Sequence, residues 1–156
     1  ERGCQVRQRK QDIDLFWQTG QLNSESNVQF GQGGAGAFSD GKLTTGTKDP
    51  RNRKVCEEFV SAGAPEEILY LAKPHIGTDI LLEVVENLSQ KIISLGGEIH
   101  FQTKMERLLI KEKKVIGILA SSQGKSLSFS TDTVILAIGH SARDTFETLY
   151  QQNIQM

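Results

Sequence analysis

The sequence has little that would mark a specialised class of protein. It carries two cysteines, Cys4 and Cys56, in 156 residues. Their spacing fits no zinc or redox pattern, and two thiols make no disulfide framework. Both are therefore expected as reduced thiols, and no metal site is expected. No apolar run approaches the ~18 residues of a membrane span. No secretory signal pattern is visible either, so a cytoplasmic protein without membrane contacts is expected. The charges nearly cancel, with 18 Lys and Arg against 19 Asp and Glu, for a net charge of -1. That balance leaves no basic field for nucleic acid. Hydrophobic residues make up 37% of the chain, which is low for a compact domain; a long polar loop region accounts for it, as does a scarcity of apolar surface that parts outside this sequence would cover. The chain opens on Glu1-Arg2-Gly3 without an initiator Met, so the natural start is expected elsewhere.

What is present reads as alternating helix and strand. Residues 7–19 predict a helix with Ile13, Phe16 and Trp17 on one face and Gly20 as its stop. Residues 51–61 predict another, with Val55, Phe59 and Val60 inward, and 65–72 a short third. The strongest helical period is over 78–95. Leu81, Val84, Val85, Leu88, Ile92 and Leu95 recur every 3.6 residues. Thr78 or Asp79 can cap its start and Gly96-Gly97 its end. A strand is expected at 98–103. An antiparallel meander follows at 105–130, from segments 105–112, 114–121 and 126–130. Thr133 to Ile138 is apolar on both faces, as a central parallel strand would be. Gly139 ends it, and a helix is expected over 141–151.

Residues 20–49 stand apart. Clustered glycines and hydroxyls, with Phe30 and Phe38 flanking them, predict an ordered loop with room for one short helix. A loop this long is uncommon in a compact domain unless it carries function. Glycines let backbone approach a flat or charged ligand, and successive amides can form an anion-binding concavity. A flexible glycine loop is the plainer reading of the same composition.

Three stretches carry a resemblance. They are FGQGGAGAFSDGKL (30–43), KPHIGTD (73–79) and VILAIGHSARDTFE (134–147). In them, and in its order of helix, strand, meander, strand and helix, the chain resembles the two-dinucleotide-binding-motif flavoproteins. It is most similar to the bacterial NAD(P)/FAD-dependent oxidoreductases described as FAD-dependent dehydrogenases. The resemblance implies an α/β fold: one partial FAD-binding Rossmann-like domain over 1–156, with the meander inserted. It implies an enzyme that transfers hydride between an unknown substrate and FAD, with NAD(P)H as a possible donor.

The site residues follow from the same resemblance. Glu1 matches the acidic strand end that holds the adenosine ribose. Gly33, Gly34, Ala35, Ser39, Asp40, Gly41 and Lys42 would run along the cofactor. Ala137 and Gly139 stand where an Ala-Thr-Gly segment usually approaches FAD, with Ile138 in place of the Thr. Met105 would meet the adenine through its backbone, although a plain turn accounts for it equally well. His75 and His140 are the candidate proton carriers. Each is also readable as a structural histidine, and His140 as a hydrogen-bonded residue at a helix start. The glycine-rich phosphate turn that should precede Glu1 by ~20 residues is not in this sequence. The 156-residue chain alone is therefore expected to bind FAD weakly or not at all. Two other readings remain: a non-catalytic flavoprotein scaffold or sensor, and a generic α/β nucleotide-binding domain.

Overall fold

A computed structural model describes residues 1–39 and 41–155. It has four helices and one sheet among the described residues, a mixed α/β architecture. The helices are α1 (Val6–Thr19), α2 (Arg51–Ser61), α3 (Thr78–Ser94) and α4 (Arg143–Gln151). Between α3 and α4 lie β1 (Thr103–Lys111), β2 (Lys114–Ser122) and β3 (Lys125–Ser130), paired antiparallel in chain order. The expected meander is therefore present, beginning two residues early.

Its register is set by two tight turns. Lys111 pairs with Lys114, and Ser122 with Lys125. Each hairpin is closed by two residues of positive φ, Glu112-Lys113 and Gln123-Gly124. That geometry matches the right-handed twist of the strands. The ladder between β1 and β2 is irregular near Met105–Arg107 and Leu109–Ile110. Helix α4 packs on β1, burying Leu149 and Leu108. The Gln152 side chain then clasps the Leu108 backbone, accepting from its N–H at 3.1 Å and donating to its carbonyl at 2.8 Å. A side-chain amide here substitutes for a neighbouring strand.

A second core joins the helices. Ala62, Ala64, Ile68, Ile76, Leu81 and Val84 are buried together, with Leu43, Phe59 and Leu88 packed around them. Only the first half of α3 is covered. Leu81 and Val84 are buried, but Ile92 and Leu95 are exposed. Helical period thus identified the stripe without fixing how far along it a neighbour reaches. Val55 and Trp17 are likewise exposed, against expectation, while Phe59 and Ile13 face inward. Gly77 precedes α3 without a side-chain cap, and the Thr78 hydroxyl donates to the Ser39 carbonyl at 2.9 Å instead.

Two expected strands are absent, and the short helix at 65–72 is only a 3-10 turn over Glu66–Leu69. Residues 98–102 stay outside the sheet, and Gln102 takes φ 51 before β1 begins. They bond instead to the start of the chain: the Gln102 N–H donates to the Gly3 carbonyl. Residues 133–138 form no ladder, and Ile135 is 89% exposed. A strand needs a neighbour for its N–H and C=O groups. The apolar pattern of 133–138 marks a capacity to pair, and no segment among the described residues runs beside it.

Candidate functional site

The glycine-rich loop is organised from inside by one side chain. Arg9, on the inner face of α1, is fully buried. Its guanidinium donates to five loop carbonyls: Asn27 at 2.8 Å, Val28 at 2.9 Å, Gly31 at 3.3 Å, and Gln32 and Gly34 at 2.8 Å each. The planar cation lies over the Phe38 ring, 4.7 Å from its centroid. Burial lowers the Arg9 pKa to about 10, with the Glu1 carboxylate opposing that shift, so the group stays charged at neutral pH. The five donors of a guanidinium form a rigid fork that one loop can wrap.

This packing explains two glycines. A Cβ on Gly31 would overlap Cδ of Arg9, and Gly31 also has φ 123. A Cβ on Gly3 would come within 2.5 Å of the Gly31 Cα. Gly3 and Gly31 touch through bare backbone, and the Glu1 carboxylate ties them together. Its Oε1 accepts from the Gly3 N–H at 2.8 Å and the Gly31 N–H at 3.1 Å.

Beside this loop lies a cavity of about 720 Å³. One wall is the glycine loop and Glu1. The floor is the start of β1 with the facing part of β2. The segment from Ile135 to Ala142 supplies further lining. Seven of the sequence-derived site residues line it: Glu1, Gly34, Ala35, Met105, Ala137, Gly139 and His140. Residues more than a hundred positions apart therefore share one space. His100 lines it as well, with its ring edge-on to Phe129 at 5.0 Å and its Nε2 3.0 Å from Glu98. Its side chain keeps 45% of its surface exposed, so it stands at the cavity while still facing solvent.

The other site residues gather elsewhere. Lys42 bridges His75, the Leu43 N–H donates to the Pro74 carbonyl at 2.9 Å, and the Ile76 N–H donates to the Gly41 carbonyl at 3.1 Å. This clasp, with Ser39 held by Thr78, joins the glycine loop to KPHIGTD. None of Ser39, Gly41, Lys42 or His75 lines the cavity. Gly33 does not line it either; a Cβ there would face Ala37 and Val85. Asp40 lies outside the described residues. His75 and His140 are both exposed, and they do not share the cavity.

A charged cluster pins the late turn. Asp144, in the first turn of α4, takes hydrogen bonds from Arg2 at 2.8 and 3.0 Å and lies 2.8 Å from Lys104 Nζ. Arg2 also lies over Phe30, 4.5 Å from the ring centroid. Burial pushes the Asp144 carboxyl up, but bonds from Lys104, Arg2 and the Thr145 amide outweigh it and hold the pKa at about 2. A carboxyl depressed in this way stabilises the fold above its ordinary value of 3.8 and loses that contribution as pH falls towards 2. D144N should therefore flatten the acid limb of a stability–pH profile between those values. An unchanged limb would remove Asp144 as its source. Asp144 lies in the stretch 134–147 and Arg2 at the start of the chain, and their separation by 142 positions hid the pair.

No protein-family model matches the chain. It is 50% identical over all its 156 residues to an uncharacterized protein of Clostridium beijerinckii (strain ATCC 51743 / NCIMB 8052). The chain spans 28% of the length of that relative. Among the described residues, no helix is long and apolar enough to cross a membrane, and no group of three or more His, Cys, Asp or Glu side chains could hold a metal ion.

Proposed function

We propose that the cavity beside the glycine loop takes the adenine dinucleotide of FAD, in an oxidoreductase of which this chain forms a cofactor-binding part. The observation that carries the reading is the meeting of Glu1, the Gly34-Ala35 backbone and the Ala137–His140 turn in one cavity. Its volume lies within the ~300–1,000 Å³ typical of small-molecule sites. The residues fit such a ligand in kind. A carboxylate stands beside glycine backbone that a flat group can approach closely, and the late turn exposes Ala137 and Gly139.

Each residue then has a limited task. Glu1 Oε1 already holds the Gly3 and Gly31 amides, so Oε2 is the oxygen left to accept ribose hydroxyls. Gly34 and Ala35 offer backbone at the wall. Bound flavin would supply the hydride chemistry itself. His140 is exposed and places an imidazole among the residues lining the cavity. His75, on the separate clasp with Lys42, is left with a structural task in this reading.

The test uses the complete reading frame that encodes this chain. Purified protein should carry flavin absorbance near one equivalent, and NAD(P)H or a candidate substrate should bleach it anaerobically. Flavin that is held but never reduced would favour a scaffold or sensor. Preference for ATP over FAD would favour a generic nucleotide-binding domain and end the oxidoreductase reading.

A further inference from the structure

A second cavity, of about 430 Å³, shares Arg2 and Lys104 in its lining with the first. Nothing in the reading above uses it. Its charged lining is balanced: Arg2 and Lys104 against Glu25 and Glu106. A ligand of one sign meets two like charges there. A ligand bearing both signs meets a complement for each.

The unused hydrogen-bonding groups sharpen this. Arg2 engages Asp144 and Thr145 through Nη2 and lies 3.6 Å from Glu25 through Nε, which leaves Nη1 without a partner among the described residues. Asn23 accepts the Glu25 and Ser26 amides through Oδ1, and its Nδ2 donates to no described residue. Those two donors suit a carboxylate. On the acceptor side, Glu106 takes the Ser121 hydroxyl on Oε1 only. Gln123 donates through Nε2 to Gln102, leaving its Oε1 without a donor among the described residues. Those two acceptors suit an ammonium group. Side chains with spare capacity of both kinds, in a space of ligand size, constitute a polar recognition site.

We propose that this second cavity binds a free α-amino acid as its zwitterion, carboxylate towards Arg2 and Asn23, ammonium towards Glu106 and Gln123. The uncharged remainder of the lining, Cys4, Ser26, Gln102 and Ser121, favours a small, uncharged, polar side chain. The inference is independent of any flavin in the neighbouring cavity.

Isothermal titration of the purified protein tests it, with L-glutamine, L-serine and L-alanine as probes. At least one should bind one to one at millimolar concentration. For glutamine as ligand, 4-aminobutanamide lacks the carboxylate and 4-carbamoylbutanoate lacks the ammonium. Each should bind at least about tenfold more weakly than its parent. E106Q keeps an oxygen for Ser121 but loses the charge, and should weaken binding about tenfold with thermal unfolding unchanged. If E106Q lowers the melting temperature, Q123A probes the same wall and should weaken binding in the same direction. Absence of binding by all three probes overturns the proposal. So do single-charge analogues that match the parent, or wall variants that bind as the wild type does.

Discussion

Replacing Arg9 with methionine should cost the protein about 4 kcal/mol or more of folding stability. Methionine fills much of the same length but offers no donor. Five carbonyls between Asn27 and Gly34 then lose their partner together. A buried acceptor left unpaired costs about 1–3 kcal/mol, and only those at the loop edge can recover a bond to water. A domain of this size has about 5–15 kcal/mol in total, so much of the reserve would go. Lysine is a poor replacement. Its three donors radiate from one nitrogen and cannot span carbonyls that Arg9 reaches from Nε, Nη1 and Nη2. Urea denaturation followed by circular dichroism reads the effect. A loss under about 1 kcal/mol for R9M would mean that the loop holds its shape by other means.

The second large effect is expected at Gly31. Alanine there is strained by φ 123 and overlaps the aliphatic stem of Arg9, with Nε only 2.8 Å from the new Cβ. Two costs combine, backbone strain and displacement of a buried cation, for a loss of about 3 kcal/mol. The two components separate in a double-mutant cycle. In an Arg9→Ala background the overlap has gone, so G31A should cost only the strain, about 1–2 kcal/mol. Full additivity of the two substitutions would contradict direct packing of Arg9 on Gly31.

These two residues mark what could and could not be read from sequence. The glycine loop was legible as unusual, because 20–49 has glycines and flanking aromatics without an apolar period. Phe30 and Phe38 do anchor it, each beneath an arginine. The arginines were not legible. Arg9 sits in a charged stretch, RQRKQD, that reads as a solvated helix face. Only the return of the loop over α1 buries it, and helical periodicity contains no information about that return.

The meander was legible because hairpins are local. Two-residue turns at Glu112-Lys113 and Gln123-Gly124 fix pairing within some thirty residues. Strands at 98–103 and 133–138 were not decidable in the same way. Their apolar pattern describes a segment, whereas a strand is a relation between two segments. The same distinction applies to the site. Glu1, Met105 and Gly139 share a cavity, while Ser39, Gly41, Lys42 and His75 form a separate clasp that nothing in their spacing foretold.

Amide hydrogen exchange on the complete reading frame, with and without added FAD, tests the dinucleotide cavity most directly. Protection should rise together at residues 31–35 and at 137–142, which line one cavity, while α2 stays as it was. Protection confined to the 41–43 and 74–78 clasp, or none at either wall while flavin is bound, would place the ligand elsewhere and contradict the assignment.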